Sequence, residues 1–172
     1  MTKVLVIEDE DFLIEEILTT LQFEGFETLE ARNGRQGVAL AQQHVPDIVV
    51  CDIMMPEMDG YAVLEALRAD LKTASIPLIF LTARSSKTDV RIGMGLGADD
   101  YLTKPFTRAE LLEAIRARVK RREVIAAMER ARLEEAQQRL ARLVAHELRT
   151  PLISISTVQE LISRQMNQLE PE

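Results

Sequence analysis

The sequence predicts an α/β fold in which five parallel strands form one doubly wound sheet with helices on both faces. Short apolar runs rich in Val, Ile and Leu recur five times before residue 120 of the 172-residue chain. Segments with the 3,4 spacing of amphipathic helices follow them. Turn residues separate the two kinds of segment. This alternation is typical of a parallel sheet whose strands are joined by right-handed helical crossovers.

The first two repeats read clearly from the pattern. A β-branched run at residues 3–7 predicts the first strand, and apolar residues at helical spacing predict a helix over residues 11–24 that ends at Gly25. Residues 26–30 are predicted to form the second strand. The second helix is expected to start at Asn33.

The third strand lies in the middle of the predicted sheet. Residues 48–51 are too few for a helix and suit a strand that is buried on both faces. Cys51 belongs to this run, and we expect it to be a small buried hydrophobic residue. The run ends at Asp52, and turn residues precede a third helix over about residues 60–71. Asp52 is therefore expected at a strand tip, beneath a loop.

The last two repeats are less regular. Residues 76–81 predict a fourth buried strand, and residues 87–96 predict a weak helix interrupted by glycines. Each glycine inside a helix costs about 1 kcal/mol relative to alanine, so we expect this helix to be mobile. Residues 98–102 are predicted to form the fifth strand. Another helix is expected from Thr107.

Polar residues follow four of the predicted strands, and the carboxyl ends of parallel strands meet at one edge of a sheet. These residues are Glu8, Asp9, Asp52, Thr82 and Lys104. Three carboxylates raise one another's pKa unless a cation joins them, and Mg²⁺ prefers such oxygen ligands. The ammonium and the hydroxyl can bind an anion. The set suits in-line phosphoryl transfer onto Asp52, whereas a chance cluster of charged strand ends explains five positions poorly.

Residues 1–120 resemble the receiver domain, the phosphate-accepting switch of two-component response regulators. The resemblance implies a flavodoxin-like fold. The motifs that carry the resemblance are Glu8-Asp9, Asp52 followed by MMPEMDG, Thr82-Ala83 and Lys104-Pro105-Phe106, in that order. The resemblance implies that Asp52 is the phosphoacceptor. It also implies that Mg²⁺ is held by Glu8, Asp9, Asp52 and the backbone carbonyl of Met54.

The same resemblance implies a switch around the phosphoryl group. Thr82 would bond a phosphoryl oxygen and Lys104 would pair with another. Tyr101 matches the aromatic residue that swings inward when the threonine moves, although an ordinary half-buried strand tyrosine is the alternative. The Lys104–Pro105 peptide bond is expected to be cis.

Composition excludes several classes of function. The net charge is -7, aromatic residues make up 4% and Trp is absent, so neither a basic DNA-reading surface nor an aromatic nucleic-acid platform is indicated. No stretch resembles a signal peptide or a membrane span. We expect a cytoplasmic protein that binds no nucleic acid.

The last third of the sequence predicts one continuous helix. No Gly or Pro occurs between Phe106 and Pro151, and residues 121–143 are rich in good helix formers, as expected of a helical linker. An apolar stripe with near-heptad spacing is formed by Leu133, Ala136, Leu140, Leu143 and Val144. Such a stripe needs a partner, so we expect a homodimeric coiled coil through residues 121–169, which the family resemblance suggests is parallel.

Residues 144–152 read VAHELRTPL and resemble the H-box of histidine kinases. The resemblance implies that His146 is the kinase phosphoacceptor, Glu147 its acid/base partner and Thr150 the residue that positions water in the phosphatase reaction. Residues 144–172 would then be the first helix of a dimerisation domain. Without the second helix and an ATP-binding domain, the chain resembles a truncated receiver-histidine kinase that would not phosphorylate His146 by itself.

Three functions are open at this point. The receiver could regulate an attached histidine kinase through the dimeric helix, or Asp52 and His146 could exchange phosphate as steps in a phosphorelay. Either function implies a cognate histidine kinase or phosphotransfer protein as partner. A DNA-binding response regulator without its output domain is the third possibility, but it conflicts with the H-box and with the absence of net charge on residues 121–172.

Overall fold

The computed structural model of the chain describes residues 2–83 and 98–167, with side chains as far as residue 145. The described elements are β1 (Lys3–Ile7), α1 (Asp11–Phe23), β2 (Glu27–Ala31), α2 (Gly34–His44), β3 (Ile48–Asp52), α3 (Gly60–Ala69), β4 (Leu78–Ala83), β5 (Asp100–Lys104) and a C-terminal helix (Arg108–Asn167). The helix expected over residues 87–96 lies outside the described residues. The chain divides into a first unit, Met1–Glu123, and a second, Val124–Glu172.

The five strands form a single parallel sheet in the order β2-β1-β3-β4-β5. The predicted fold class is confirmed. The order reverses direction between β1 and β3, and open α/β sheets bind their ligands in the crevice at such a switch point. Ile7 at the end of β1 pairs with Cys51, so Glu8 and Asp52 follow side by side on neighbouring strands.

The core has two layers because both faces of the sheet are covered. Cys51 and Phe80 belong to the cluster beneath α2 and α3, where Leu64 packs. Val50 belongs to the opposite cluster, beneath α1 and the start of the C-terminal helix, where Ile115 packs. Each fully buried aliphatic side chain contributes about 1.5–3 kcal/mol. Burial on both faces explains why β3 is apolar throughout its first four residues.

Two strands differ from their predicted bounds by two residues. The apolar runs predicted strands at 76–81 and 98–102, whereas β4 is Leu78–Ala83 and β5 is Asp100–Lys104. The pairing of β4 with β5 runs through Thr82 to Ala83 and Lys104, so hydrogen bonding extends the strands beyond their apolar residues. Lys104 consequently ends its strand at the edge where Asp52 ends β3.

The close packing of α3 against β3 fixes the loop that follows Asp52. A Cβ atom added to Gly60 would lie 2.5 Å from the backbone oxygen of Asp52. The helix begins with an N-cap, since Asp59 Oδ1 accepts a hydrogen bond of 2.8 Å from the Ala62 N–H. The cap and the contact at Gly60 together hold residues 53–59 over the end of β3.

The C-terminal helix is continuous over 60 residues, as the absence of Gly and Pro before Pro151 predicted. In the first unit its residues Leu111 and Ile115 are buried in the core. In the second unit every described side chain, from Val124 to Ala145, is exposed. Within the described part of the chain no helix is long and apolar enough to cross a membrane.

Candidate active site

Asp52 ends β3 with its side chain almost wholly buried. Its Oδ1 lies 2.9 Å from Lys104 Nζ. Its Oδ2 accepts a hydrogen bond of 3.2 Å from the backbone N–H of Met54. The strand and the loop therefore fix the orientation of this carboxylate. The Met54 side chain is 76% exposed, so this residue serves the site through its backbone.

Lys104 joins two carboxylates that come from different strands. Its Nζ donates a hydrogen bond of 2.8 Å to Glu8 Oε2 and lies 2.9 Å from Asp52 Oδ1. It reaches both from the end of β5, where the next peptide bond, to Pro105, is cis as the resemblance implied. The ammonium thus bridges the carboxylates of Glu8 and Asp52.

Glu8 is the most deeply buried charged residue of the site, with no exposed surface. Burial raises the pKa of Glu8, and the charge of Asp52 raises it further, although the hydrogen bond from Lys104 opposes both effects. Burial by itself would lower the pKa of Lys104, but its hydrogen bonds to Glu8 and Asp52 outweigh burial, so the pKa is raised. The lysine is therefore a permanent cation at neutral pH.

Three carboxylates of the site are close enough to share a metal ion. Glu8, Asp9 and Asp52 each offer an oxygen, and these oxygens lie within 4.8 Å of one another. Mg²⁺ binds oxygen at about 2.0–2.1 Å, so two of its ligands lie at most about 4.2 Å apart. Small side-chain shifts or one bridging water would bring the set onto a single ion. Among the described residues of the site, the three negative charges exceed the one positive charge of Lys104, and a divalent cation would balance them.

Thr82 lies one residue beyond Leu81, the β4 partner of Asp52 in the sheet. The residue is half-buried, and its hydroxyl donates an exposed hydrogen bond of 3.1 Å to the Ala83 carbonyl. The sequence-predicted threonine is thus on the correct edge, directly beside the carboxylate. In this structure its hydroxyl bonds to the backbone.

Tyr101 lies on β5 with its ring packed into the core, where its centroid is 5.6 Å from that of Phe80. Its hydroxyl is buried and has no hydrogen-bond partner among the described residues. Burial, with a smaller effect of Tyr61, raises the pKa of Tyr101 to about 12. The inward orientation is the one that the resemblance gives to the switch aromatic.

His146, Glu147 and Thr150 lie within the C-terminal helix. Their side chains are outside the described part of the structure, so the roles implied for them stay predictions. The other predicted site residues, from Glu8 to Lys104, all belong to the first unit.

The structure also reveals contacts of two arginines that were not predicted from the sequence. Arg118 contacts the carboxylate of Asp100, and Arg122 contacts the backbone carbonyls of Pro46 and Asp47. These contacts lie at the amino edge of the sheet, opposite the candidate site. The spacing of four residues between two arginines on one helix face was the available signal. It is a weak one in a helix that contains many arginines.

Comparison with known proteins agrees with this geometry. Residues 4–116 match the response regulator receiver domain family. Among curated proteins, the DNA-binding dual master transcriptional regulator RpaA of Synechocystis sp. is 40% identical over 121 residues, which are 70% of this chain and 50% of that protein. This chain spans about half the length of the curated relatives it matches.

Solved structures of receiver domains are similar over the same part of the chain. The signal receiver domain of a signal transduction histidine kinase from Syntrophus aciditrophicus is 33% identical with a TM-score of 0.65, covering 70% of this chain and 91% of that one. The receiver domain of sensor histidine kinase PA1611 from Pseudomonas aeruginosa PAO1 is 29% identical with the same TM-score of 0.65, covering 69% and 98%. That structure has a magnesium ion coordinated in its active site cleft.

Fold, site and similarity thus lead to one conclusion. The strand order places an acidic group and a lysine at the switch point of the sheet, and the match over residues 4–116 covers every one of these groups. The chain belongs to the response regulator receiver domain family, and its first unit is a receiver domain of two-component signalling.

Proposed function

We propose that the receiver domain takes a phosphoryl group onto Asp52 in a reaction that depends on Mg²⁺. The observation that carries this proposal is the position of Lys104 Nζ, 2.9 Å from Asp52 Oδ1 and 2.8 Å from Glu8 Oε2. An ammonium held beside the nucleophilic oxygen can stabilise the charge that develops on a transferring phosphoryl group.

The transfer is a substitution at phosphorus. An Asp52 carboxylate oxygen forms a bond to phosphorus while the bond between phosphorus and the donor breaks, and the donor keeps that electron pair. From a phosphohistidine the leaving group is an imidazole. Lys104 would turn from the carboxylates to a phosphoryl oxygen, and the Thr82 hydroxyl would exchange its bond to the Ala83 carbonyl for another. Tyr101 already points inward, with its ring centroid 5.6 Å from that of Phe80.

Glu8, Asp9 and Asp52 would hold the metal ion, together with the carbonyl of Met54. Bound Mg²⁺ would neutralise part of the phosphoryl charge and orient the group for in-line attack. The buried Glu8 supports this role, because a carboxylate without solvent contact is costly unless cations surround it.

Phosphorylation by a small acyl phosphate tests the proposal. We expect the intact mass of the chain to increase by one phosphoryl group with acetyl phosphate and Mg²⁺, and not when the metal is chelated. Asp52→Asn should abolish the increase. The matched control is Asp59→Asn, which changes the same side chain on the same loop while asparagine keeps the N-cap. Unchanged labelling of Asp52→Asn would overturn the assignment.

We further propose that the chain is a homodimer in which the phosphorylated receiver regulates an attached histidine kinase. The support is the second unit, whose large apolar side chains are exposed along one helix: Val124, Ile125, Met128, Leu133, Leu140, Leu143 and Val144. The H-box sequence around His146 supports the kinase part of the proposal. Pairing of two such helices would bury the stripe from Leu133 to Val144.

The solution mass tests the dimer. We expect light scattering to give twice the mass of the chain, and Leu140→Glu to give a monomer. Gln138→Glu is the matched control because it adds the same charge about 200° around the helix. The measurement is repeated with Mg²⁺ and beryllofluoride, which mimics the aspartyl phosphate. A dimer only with the mimic would make association the switch, and a monomer in both conditions would contradict the proposal.

A phosphorelay between Asp52 and His146 is distinguished from regulation by one substitution in a protein that carries the catalytic domain. With Asp52→Asn, regulation predicts that His146 is still labelled by ATP but responds differently to the stimulus. A relay predicts that onward transfer is lost.

A further inference from the structure

Two arginines hold the C-terminal helix to the amino edge of the sheet. Both Nε and Nη2 of Arg118 donate to Asp100 Oδ2, at 3.1 and 2.8 Å. Nη1 of Arg122 donates to the carbonyl of Asp47 at 2.9 Å and to that of Pro46 at 3.4 Å. Four residues separate the arginines, so they lie on one face of the helix. We call these two contacts the arginine clamp.

Each half of the clamp is attached to a strand whose other end forms the candidate site. Arg118 binds Asp100, the first residue of β5, and Lys104 is the last residue of that strand. Arg122 binds Asp47, which immediately precedes β3, and Asp52 ends it. Four residue steps along a strand span about 13 Å. Strands β3 and β5 therefore connect Asp52 and Lys104 with the part of the C-terminal helix that carries Arg118 and Arg122.

The corner that receives Arg122 is itself tightly fixed. The carboxylate of Asp47 accepts a hydrogen bond of 2.8 Å from the Lys3 N–H, and the Asp47 N–H donates 2.9 Å to the Lys3 carbonyl. Val45, just before the corner, has φ 44°, in the left-handed region that β-branched residues rarely adopt. Neighbouring bonds must maintain such a conformation. The corner is thus a firm point of attachment for the helix.

The clamp lies where the first unit ends. The unit ends at Glu123, and from Val124 onward the described side chains are exposed. Arg122 is the last residue of the helix with a described contact to the receiver domain. A single nitrogen of Arg122, Nη1, bonds both carbonyls. The guanidinium is planar, so these bonds restrict rotation of the helix more strongly than the freely turning ammonium of a lysine would.

We propose that the arginine clamp sets the rotation of the C-terminal helix at its exit from the receiver domain and couples it to the site through β3 and β5. Small movements of Asp52 and Lys104 upon phosphorylation shift the amino ends of these strands, and the clamp converts the shift into rotation of the helix. The inference rests on the proposed phosphorylation of Asp52. It adds Arg118 and Arg122 as positioning residues for the signal.

Hydrogen exchange measured by mass spectrometry on the full chain tests the coupling. Mg²⁺ with beryllofluoride should change deuterium uptake in the site loop, residues 53–59, and in the helix after the clamp, residues 123–132. In Arg118→Ala/Arg122→Ala the change in the loop should persist and the change in the helix should be lost. Arg116→Ala is the matched control. It removes an arginine that pairs at 2.6 Å with Glu24, the C-cap of α1, and so has its described contact away from both strands.

The outcomes separate the two proposals. No change in the site loop of the unsubstituted chain would overturn phosphorylation at Asp52 itself. Two outcomes would overturn the coupling alone. In the first, deuterium uptake of the unsubstituted chain changes in the loop but not in the helix. In the second, uptake in the helix changes equally with and without the clamp. Arg122→Lys keeps the charge and removes the planar guanidinium, so a folded variant with a reduced helix response supports the clamp even where the double variant unfolds. A full response in that variant would contradict the role of the guanidinium.

Discussion

The two edges of the sheet both carry carboxylates beside basic side chains, but the balance of charge and the burial differ between them. At the carboxyl edge Glu8, Asp9 and Asp52 lie close together, and among the described residues Lys104 is the cation that pairs with them, through Glu8 and Asp52. Two of these carboxylates, Glu8 and Asp52, are buried. At the amino edge the carboxylates of Asp47 and Asp100 each have an arginine nearby and a backbone N–H donor, and all of these groups are partly exposed.

The difference separates a binding site from a structural contact. Balanced, solvated pairs at the amino edge need no further partner. The excess of negative charge at the carboxyl edge destabilises the fold until a cation binds. Binding of the cation relieves this repulsion, which favours its affinity. Tight backbone packing around Asp52 maintains the arrangement at the carboxyl edge.

The largest effect is expected at Gly60. In Gly60→Ala the new Cβ would lie 2.5 Å from the Asp52 carbonyl oxygen and 2.9 Å from the Ile53 Cα. Both atoms belong to the backbone and cannot rotate away, so we expect a loss of about 1–3 kcal/mol in the free energy of unfolding. Urea denaturation measures this loss. Phosphorylation of Asp52 should slow as well, because the loop moves.

Gly37 provides the comparison for Gly60. A Cβ at Gly37 would contact Cδ1 of Ile7 and lie 2.8 Å from its Cγ1, which are side-chain atoms and can move more easily than backbone. Gly37→Ala should therefore cost less than Gly60→Ala and leave the rate of Asp52 labelling unchanged. Equal costs would mean that the backbone contact at Gly60 is not what fixes the site.

Removal of one negative charge should weaken metal binding. Glu8→Gln keeps the shape of the side chain, and we expect its Mg²⁺ affinity to fall by about tenfold or more, since even groups that only support metal ligands cost this much. Calorimetric titration of Mg²⁺ provides the measurement. The control is Glu10→Gln, a change of the same charge on an exposed neighbour. Equal losses in the two variants would indicate a general effect of net charge instead of a ligand at Glu8.

The sequence predicted the carboxyl edge better than the amino edge for a physical reason. Asp52 ends an apolar run that is too short for a helix and suits a buried strand. Because the strands are parallel, Lys104, at the end of another strand, must lie at the same edge of the sheet. That Lys104 bonds Glu8 as well as Asp52 could not be read from the sequence, because it depends on how far a flexible side chain reaches across the sheet.

The clamp escaped the sequence analysis because its partners are separated by long stretches of chain. Arg122 bonds carbonyls 75 and 76 residues away, and every residue offers the same backbone carbonyl. The bounds of β4 and β5 were misplaced for a related reason. Their last pairs are formed by hydrogen bonds that polar residues make as readily as apolar ones.

A smaller effect is expected when half of the clamp is removed. Arg118 and Asp100 are partly exposed, and a pair of this kind contributes about 0.2–1 kcal/mol to the free energy of unfolding. Arg118→Ala should lower this free energy by about that amount in urea denaturation. Arg121→Ala, which removes an exposed arginine, serves as the control and should have less effect. A loss above about 3 kcal/mol would be typical of a buried ion pair and would contradict the contrast between the edges.

The smallest effect concerns Glu24, a surface carboxylate at the end of α1. Its hydrogen bond with Arg108 is the main cause that lowers the pKa of Glu24. Burial opposes this effect, and the hydrogen bond with Arg116 lowers the pKa further. Because the unfolded chain binds this proton more readily, the pair stabilises the fold above the usual pKa of 4.5, and this contribution is lost as pH falls through the lowered value. Arg108→Ala should return the pKa of Glu24 toward 4.5 in an NMR titration and flatten the acid side of the stability profile. Arg121→Ala removes an equal charge elsewhere and should leave both unchanged. An unaltered titration of Glu24 in Arg108→Ala would contradict the view that Glu24 and Arg108 form a stabilising pair.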